Sequence, residues 1–350
     1  MKHVLLPEVG EMNYYKINLH NHTDISDGKI SPEETKRRYK AHGYAAVAFT
    51  DHCVFLRHND LTDKDFVALN GVELDVSDWF GEPDKLIRKT CHLGMIALSP
   101  DTTRPVCMHR GKYTYHNAVN FYDQMDLPDD VPDYVRTYDP DCVNDMIRRA
   151  RDAGFFVVYN HPSWSLERYP QYSQYHGMHA MEIVNNESVI AGFVDEENAH
   201  CYDDLLNLGN RIFCVATDDG HHHRAADDPF VDEFGGYVLA AAKDLTYTAL
   251  TDALLAGRFF SGTGDPLHEG PRITGLTYED GVISVKASGA RYIFLSTEGR
   301  CRSRRRAAEG ETVDETTFTL PEGVKWFRLT LRDERGFSAY SNAYFTDELR

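Results

Sequence analysis

Short apolar runs alternate with amphipathic stretches along the chain as far as about residue 262. Runs such as AAVAF and FFVVY are apolar at every position, which is typical of strands buried on both faces of a parallel sheet. On this basis strands are predicted at residues 15–19, 45–50, 66–72, 92–98, 155–159, 180–184, 211–217 and 237–242.

Capping residues delimit the helices between these strands. Ser31 is a predicted N-cap before Pro32 at the first helical position, and Gly43 ends this helix. Similar signals predict helices at 139–154 and 246–257. An alternation of strands and helices predicts an α/β fold, either a barrel or an open sheet.

Two regions interrupt this alternation. Residues 99–138 show no clear periodicity, and so long a loop is usually functional or structured in part. From residue 266 the pattern changes to short strands, which predicts a small β-sandwich-like domain. The expected organisation is therefore a domain at 1–265, with the 99–138 insertion, and a domain at 266–350. The basic run at 300–306 is interpreted as a solvated hairpin loop.

Charge and composition limit the classes of function that are expected for this chain. The 350 residues include 37 basic and 55 acidic side chains, a net charge of −18, which disfavours a nucleic-acid partner. We expect no membrane span and no signal peptide, since no apolar run is long enough. Seven cysteines without a C-x-x-C pair indicate reduced thiols and a cytoplasmic location. The oligomeric state is left open.

Histidines and carboxylates recur where predicted strands end or begin. Parallel strands of α/β folds bind ligands at their carboxyl ends, so these residues are expected to meet at one mouth. Any one of them is more often structural than a ligand, but the series favours a metal site. The candidate ligands are His20, His22, Asp27, His52, Glu73, His92, His161, Asp219 and His221.

Imidazole and carboxylate ligands without a thiolate suit Zn²⁺, Mn²⁺ or Fe²⁺. Nine ligands exceed the needs of one ion, so two or three neighbouring metals are inferred, and a carboxylate such as Glu73 can bridge two of them. Such clusters activate water for hydrolysis. Three divalent ions would outweigh the three carboxylates, which favours a phosphate at the mouth.

The motifs LHNHTDISDG, FTDH, GVELD, CHLGM, YNHPSW and ATDDGHH, in this order, resemble the PHP (polymerase and histidinol phosphatase) family over residues 15–262. The resemblance implies a distorted seven-stranded (β/α) barrel, a trinuclear metal centre at its C-terminal mouth and phosphoester hydrolysis. It also implies three metal sites, formed by His20, His22, Glu73 and Asp219, by Glu73, His92 and His161, and by Asp27, His52 and His221.

The last motif leaves an alternative open. The Asp-x-His spacing of the family selects Asp219 and His221, whereas Asp218 with His221 is the less favoured pair. Asp51 or Asp218 could instead orient a metal-bound histidine. His222 and His223 are interpreted as flanking residues, one of which could reach the substrate.

The sequence therefore predicts a metal-dependent phosphoesterase that acts on a small phosphomonoester or phosphodiester by attack of metal-bound hydroxide. Glu73, Asp219 and His221 are expected to serve catalysis as well as metal binding. Four basic residues are candidates for holding phosphate, with ordinary surface charge as the alternative: Arg104, Arg110, Lys112 and Arg224. The rival functions are hydrolysis of a carboxylic ester or amide and, with less support, a non-catalytic metal-binding scaffold.

Overall fold

The computed structural model describes residues 1–79, 84–192, 198–300 and 303–349. The strands of the first 265 residues are β1 (Lys2–Leu6), β2 (Asn13–Asn18), β3 (Ala46–Phe49), β4 (Val67–Ser77), β5 (Thr90–Ala97), β6 (Phe155–Asn160), β7 (Ala180–Asn185), β8 (Phe213–Thr217), β9 (Gly236–Ala242) and β10 (Phe259–Asp265). The α-helices are α1 (Pro32–Ala41), α2 (Pro140–Asp152), α3 (Tyr169–Tyr172), α4 (Asn186–Ile190), α5 (Ala199–Asn207) and α6 (Tyr247–Leu255).

The C-terminal part of the chain is built from strands. These are β11 (His268–Glu269), β12 (Arg272–Glu279), β13 (Val282–Ser288), β14 (Tyr292–Thr297), β15 (Arg304–Arg306), β16 (Glu315–Thr319), β17 (Trp326–Arg332), β18 (Ser338–Ser341) and β19 (Tyr344–Phe345). The basic run contributes the short edge strand β15, and its residues Cys301 and Arg302 lie outside the described part of the chain.

The central sheet has the strand order β9-β2-β3-β4-β5-β6-β7-β8 and is mostly parallel. Strands β2, β3, β4, β6, β7 and β8 point the same way, whereas β5 and β9 pair antiparallel with their neighbours. Because β5 is reversed, its first residues lie at the carboxyl ends of β4 and β6. This places His92, near the start of its strand, at the same mouth as the other candidate ligands.

The expected closed barrel is corrected to an open sheet. Strand β9 pairs with β2 along one edge and with β10 along the other, where Phe260 lies opposite Leu239. The outer edge of β8 is covered by side chains instead, since Asn342 accepts from the backbone N–H of Cys214 (3.1 Å) and Ser261 donates to its carbonyl (2.8 Å). Within the described residues no strand ladder joins β8 to β9.

Two sheets face each other in the C-terminal region. One has the order β1-β12-β13-β16, and the other continues the central sheet through β10 to β18, β17, β14 and β15. Their shared core contains Leu276 and Ile283 from the first sheet and Ile293 and Leu329 from the second. The N-terminal strand β1 thus belongs to a sheet of the C-terminal region, while the domain boundary at residue 265 stays a prediction.

The predicted helix ends agree with the structure. Ser31 accepts from the backbone N–H of Glu34, and Asp139 accepts from that of Cys142. Gly43 and Gly154 follow α1 and α2 with φ values of 77° and 83°, a conformation that glycine adopts at little cost.

The 99–138 segment packs on the sheet through Tyr113 and Met125, among other residues, and includes short 3-10 turns. Asn117 ties it to the first ligand loop, because its backbone N–H donates to the carbonyl of Ser26 (3.0 Å) and its side-chain amide donates to the carbonyl of Asp24.

The described cysteines, Cys53, Cys91, Cys107, Cys142, Cys201 and Cys214, are buried and carry free thiols. None of the described helices combines the length and the apolar character that a membrane crossing requires.

Candidate metal centre

The loop after β2 carries His20 and His22 and is paired with the loop after β8. The backbone N–H of His22 donates to the carbonyl of Gly220 (2.9 Å), and that of Asp219 donates to the carbonyl of His20 (3.0 Å). These bonds hold the first and last ligand motifs together although their strands are far apart in the sheet order.

Asp51 shapes the loop that contains Asp27. Its carboxylate accepts from the backbone N–H of Thr23 (2.7 Å) and from the hydroxyl of Ser26 (2.7 Å). The loop closes so tightly that a Cβ at Gly28 would stand 2.6 Å from the carbonyl oxygen of His22. Glycine is therefore required at position 28 of the SDG sequence, because any side chain would clash with the backbone. Asp51 supports the site by holding the conformation of this loop.

The buried carboxylate of Glu73, in β4, lies at the centre of the cluster. Each of five predicted imidazole ligands has a ring nitrogen 3.1–3.4 Å from an oxygen of this carboxylate, namely His20, His22, His52, His92 and His161. A single carboxylate with histidines on both oxygens is the arrangement expected of a bridging ligand.

Asn160 holds Glu73 in place. Its side-chain amide donates to Oε1 of Glu73 (2.8 Å), and a Cβ at Gly94 would stand 3.0 Å from the amide oxygen of Asn160. The glycine of CHLGM on β5 thus leaves room for the asparagine of YNHPSW on β6.

The two aspartates complete the cluster from opposite sides. Asp219 Oδ1 lies 3.1 Å from Nε2 of His20 and 3.0 Å from Nε2 of His22. Asp27 Oδ1 lies 3.6 Å from Nε2 of His221 and 3.8 Å from Nδ1 of His22. The structure therefore brings all nine predicted metal ligands together.

Four overlapping groups have ligand atoms close enough to share an ion. They are His22, Asp27, His52 and His221; His20, His22 and Glu73; His20, His161 and Asp219; and His52, Glu73 and His92. The first group contains the whole of the third metal site that the family resemblance implies. His20, His22 and Glu73, which form the second group, each also belong to one of the other groups, so the four groups make one centre.

Unpartnered buried atoms indicate that these residues fit metal ions. Five of the nine side chains carry a buried nitrogen or oxygen that has no hydrogen-bond partner in the structure, namely His22 Nδ1, His52 Nδ1, Glu73 Oε2, His92 Nδ1 and Asp219 Oδ1. A buried polar atom without a partner costs about 1–3 kcal/mol, and a coordinated cation would remove that cost. The Nε2 atoms of His20 and His22, 3.1 Å apart, suit ligands of one ion.

The carboxylates also attract protons to the metal-free site. Burial lowers the pKa of His22, but the adjacent carboxylates of Asp219 and Glu73 raise it to about 10. Burial likewise opposes the charged form of His161, and its hydrogen bond to Glu73 raises the pKa to about 9. For His52, burial and next the charge of His22 lower the pKa to about 3. The site thus favours positive charge at its centre.

Glu182 is a site residue that the sequence reasoning missed. It is fully buried in β7 and accepts from Nδ1 of His20 (2.7 Å), from the hydroxyl of Thr217 (2.6 Å) and from the backbone N–H of His161 (2.8 Å). The amide of Asn185 donates to Glu182 (2.9 Å) and to Asp219 (3.1 Å). The available signal was a glutamate within the apolar run AMEIV.

The geometry separates the roles of the adjacent residues in ATDDGHH. Asp218 accepts from the backbone N–H groups of Phe234 (2.9 Å) and Gly236 (2.7 Å), and burial raises its pKa to about 7. His222 is buried 2.8 Å from Glu233, away from the cluster. Only Asp219 of the two aspartates belongs to the candidate ligand groups in the described residues.

A cavity of about 530 Å³ opens onto the cluster. Its lining includes Asp27, His52, Glu73, Asp75, Trp79, His92, Tyr115, His116, His161, Trp164, Glu187, Asp219, His221 and His223. This volume is within the usual range for small-molecule sites. His223, one of the two flanking histidines, is thus positioned where a substrate would bind.

The four predicted phosphate-holding residues are not among those that line this cavity. Arg104 lies 3.5 Å from Asp126, Arg110 lies 2.7 Å from Asp133, and Arg224 lies 3.6 Å from Asp228. Lys112 lines a separate depression beside Arg136 and Tyr138. The described lining of the cavity contains neither a lysine nor an arginine. A phosphate-binding role for these four residues therefore stays a prediction.

Residues 18–136 match the family model described as PHP domain. This segment, about a third of the chain, is similar to PHP domains. The matched segment carries six of the nine predicted ligands, from His20 to His92, whereas His161, Asp219 and His221 lie beyond it.

The chain is also similar to three known proteins. An uncharacterised protein of Methanocaldococcus jannaschii is 36% identical over 53 residues, which is 15% of this chain and 24% of that relative. A two-domain protein from Bacteroides vulgatus, described as containing a predicted PHP-like metal-dependent phosphoesterase, is 14% identical with a TM-score of 0.44, covering 97% of this chain and 98% of the other. An amidohydrolase from Chromobacterium violaceum, with bound sulfate and no metal, is 16% identical with a TM-score of 0.35, covering 61% and 93%.

Proposed function

We propose that this protein is a metal-dependent phosphoesterase that hydrolyses a small phosphomonoester or phosphodiester at a centre of three divalent metals. The observation that carries the proposal is the convergence of nine candidate imidazole and carboxylate ligands around the carboxylate of Glu73, seven of which line one cavity. The match of residues 18–136 to the PHP domain model supports the same reaction class.

The ligands would be shared among the metals as the motifs imply, with Glu73 common to two sites. His20, His22 and Asp219 complete the first, His92 and His161 complete the second, and Asp27, His52 and His221 form the third. Zn²⁺, Mn²⁺ and Fe²⁺ suit this donor set. When bound, such ions lower the pKa of coordinated water toward neutrality and polarise a phosphoryl oxygen.

The chain's own residues orient these ligands. Glu182 accepts from Nδ1 of His20 and so leaves Nε2 of that ring to face the cluster. His221 donates from Nδ1 to the carbonyl of Asp219 (2.8 Å), which directs its Nε2 toward Asp27. Partners of this kind fix the tautomer and ring orientation of metal-bound histidines.

Charge favours a phosphoryl group at this centre. Three divalent cations bring six positive charges, and Asp27, Glu73 and Asp219 cancel three of them. The centre would therefore remain cationic within a chain whose formal net charge is −18. An anionic substrate is drawn to this point by the metals and not by the surface of the protein as a whole.

Hydrolysis of a carboxylic ester or an amide is the second candidate. It is favoured by one observation, namely that the described cavity lining contains no lysine or arginine to grip a phosphate. The same water-activating centre could act on a carboxyl carbon.

The test is turnover by protein loaded with Mn²⁺, Fe²⁺ or Zn²⁺ on a matched panel, comprising 4-nitrophenyl phosphate, bis(4-nitrophenyl) phosphate, 4-nitrophenyl acetate and 4-nitroacetanilide. The phosphoesterase proposal expects a phosphate ester to have the highest kcat/KM. Preference for the acetate or the anilide would select the second candidate. Full metal loading with no turnover of any of the four would refute both.

A further inference from the structure

The long insertion between β5 and α2 comes close to the candidate metal ligands. The ring of Tyr115 lies against that of His52, with the centroids 5.3 Å apart. The backbone N–H of Asn117 donates to the carbonyl of Ser26 (3.0 Å), in the loop that carries the first ligand motif. His116 lies between these two residues in the chain and lines the cavity above the cluster. Both of its neighbours are thus fixed against the metal-binding residues.

The imidazole of His116 approaches the carboxylate of Asp27 as closely as two predicted ligands do. Its Nε2 lies 3.9 Å from Oδ2 of Asp27, and Nε2 of His52 lies 3.8 Å from the same oxygen. Nε2 of His221 lies 3.6 Å from the other oxygen, Oδ1. Two donor atoms that are each about 2.1 Å from one ion can be at most about 4.2 Å apart. All three spacings are therefore compatible with ligands that share an ion with Asp27.

The backbone at His116 has a conformation that residues with a side chain rarely adopt. Its φ is 51°, in the left-handed region, and such strain clusters at functional sites where the surroundings hold it. The side-chain amide of Asn117 donates to the carbonyl of Asp24 and secures this turn. The His116 imidazole makes no hydrogen bond with any residue that the structure describes and is 60% exposed. It is therefore free to bind an ion beside Asp27.

The second additional histidine of the cavity lacks this contact. His223 also lines the cavity, and its ring stacks on that of His221 with the centroids 5.8 Å apart. Among the described residues His223 makes no ion pair with a carboxylate, whereas His116 has Asp27 within reach. Of the two cavity histidines outside the nine predicted ligands, His116 is thus the one placed at a metal site.

We propose that His116 is a tenth metal ligand, which binds through Nε2 at the third metal site beside Asp27. An imidazole nitrogen suits Zn²⁺, Mn²⁺ and Fe²⁺, the ions expected there. Because imidazole is a neutral ligand, the centre would keep its positive charge. This inference rests on the metal centre of the proposed function and deepens it, since it makes the long insertion a part of that centre.

A substitution that preserves the backbone tests the role of the imidazole. His116→Asn removes the ring, and asparagine tolerates the left-handed conformation at this position. A direct ligand should matter at least as much as residues that orient ligands, whose loss lowers metal affinity by about 10–100-fold. Equilibrium dialysis against graded Zn²⁺ concentrations, with metal analysis by mass spectrometry, should therefore show one of the three ions bound at least about tenfold more weakly. His223→Asn, in the cavity, and His176→Asn, at an exposed position outside the cluster, should leave the metal affinities unchanged.

Metal positions in the wild-type protein give a measurement that depends on no variant. In crystals grown with Zn²⁺, anomalous scattering should place an ion beside Asp27 with Nε2 of His116 about 2.0–2.1 Å from it. An ion there that His116 does not contact, an empty position beside Asp27, or an unchanged Zn²⁺ affinity in His116→Asn would overturn the inference. Failure to hydrolyse any phosphate ester while His116 coordinates the ion would instead refute the phosphoesterase function alone.

Discussion

Backbone strain marks two of the candidate ligands. Asp219 has a φ of 53° and His161 a φ of 24°, values that residues with a side chain rarely adopt. Hydrogen bonds hold both residues in place, since Asn185 donates to the Asp219 carboxylate and the backbone N–H of His161 donates to Glu182. Strain of about 1–3 kcal/mol per residue persists only where the surroundings compensate for it, and it clusters at functional sites.

Glu182 carries much of that compensation, so its removal should affect both stability and metal binding. We expect Glu182→Ala to lower the free energy of unfolding by about 3 kcal/mol, because several buried donors lose their acceptor. Metal affinity should fall by about 10–100-fold, since Nδ1 of His20 loses the group that orients the ring. Urea unfolding and metal titration measure the two effects. Glu309→Ala is the exposed control, and an unchanged metal affinity in Glu182→Ala would contradict the proposed role.

His20 and Asp27 lie at different ends of the cluster and should control different metals. His20 contacts Asp219 and Glu73, whereas Asp27 faces His221. His20→Ala and Asp27→Ala should each abolish turnover and should each lose about one metal equivalent. Metal analysis by mass spectrometry gives the stoichiometry, and anomalous scattering from crystals of the two variants shows which position is empty. His176→Ala, an exposed histidine outside the cluster, should keep all metals.

Loss of the same position in both variants, or full occupancy in either, would show that the three-site assignment is wrong. The assignment is thereby tested separately from activity, which many changes in a crowded cluster would abolish for unrelated reasons.

At the scale of elements, periodicity predicted which segments are strands but not their direction. The eight predicted strands correspond to β2–β9, because continuous apolar runs are a strong local signal. An apolar run is the same in either direction, so the reversal of β5 and β9 could not be deduced from it. The candidate ligands could be found because most of them follow strand ends. Glu182 was missed because it lies in the middle of a strand of core-like composition, where its signal is a carboxylate within an apolar run.

The pairing of neighbouring strands also explains why the sheet does not close into a barrel. Barrel closure would require β9 to pair with β8, but β9 continues into a hairpin with β10, and β10 pairs with β18. These long-range pairings leave no mark in the local sequence. The four predicted phosphate-holding residues stay predictions, since in sequence an arginine with a carboxylate partner looks the same as an arginine that lines a cavity.

The N-terminal strand provides a prediction about how the elements depend on one another. β1 pairs with β12, and Leu6 is fully buried in the core of the C-terminal sheets, whereas Val4 on the same strand is 59% exposed. Leu6→Ala should therefore lower the free energy of unfolding by about 2–5 kcal/mol. Val4→Ala should change it by less than about 0.5 kcal/mol. Urea denaturation of both variants makes the comparison, and equal effects would mean that β1 does not contribute to the folded core.

At the scale of the whole molecule, an acidic chain is organised around a centre that needs positive charge. Without metals, that charge comes from protons on His22 and His161, with pKa values of about 10 and 9. Metal ions require the unprotonated rings, so binding at pH 7.5 must release protons. Calorimetric titration with Mn²⁺ in buffers of different ionisation enthalpy measures that release directly.

The same competition predicts how stability depends on pH. In the metal-free protein both pKa values are raised above the unfolded value of about 6.5, so their contribution to stability is complete below about pH 6.5 and is lost as pH rises through 9 to 10. Metal affinity changes in the opposite sense and increases as these rings lose their protons. The difference in Tm between Mn²⁺-loaded and EDTA-treated protein should therefore widen from pH 6 to pH 9. A difference that stays constant or narrows over this range would contradict the exchange of protons for metals at His22 and His161.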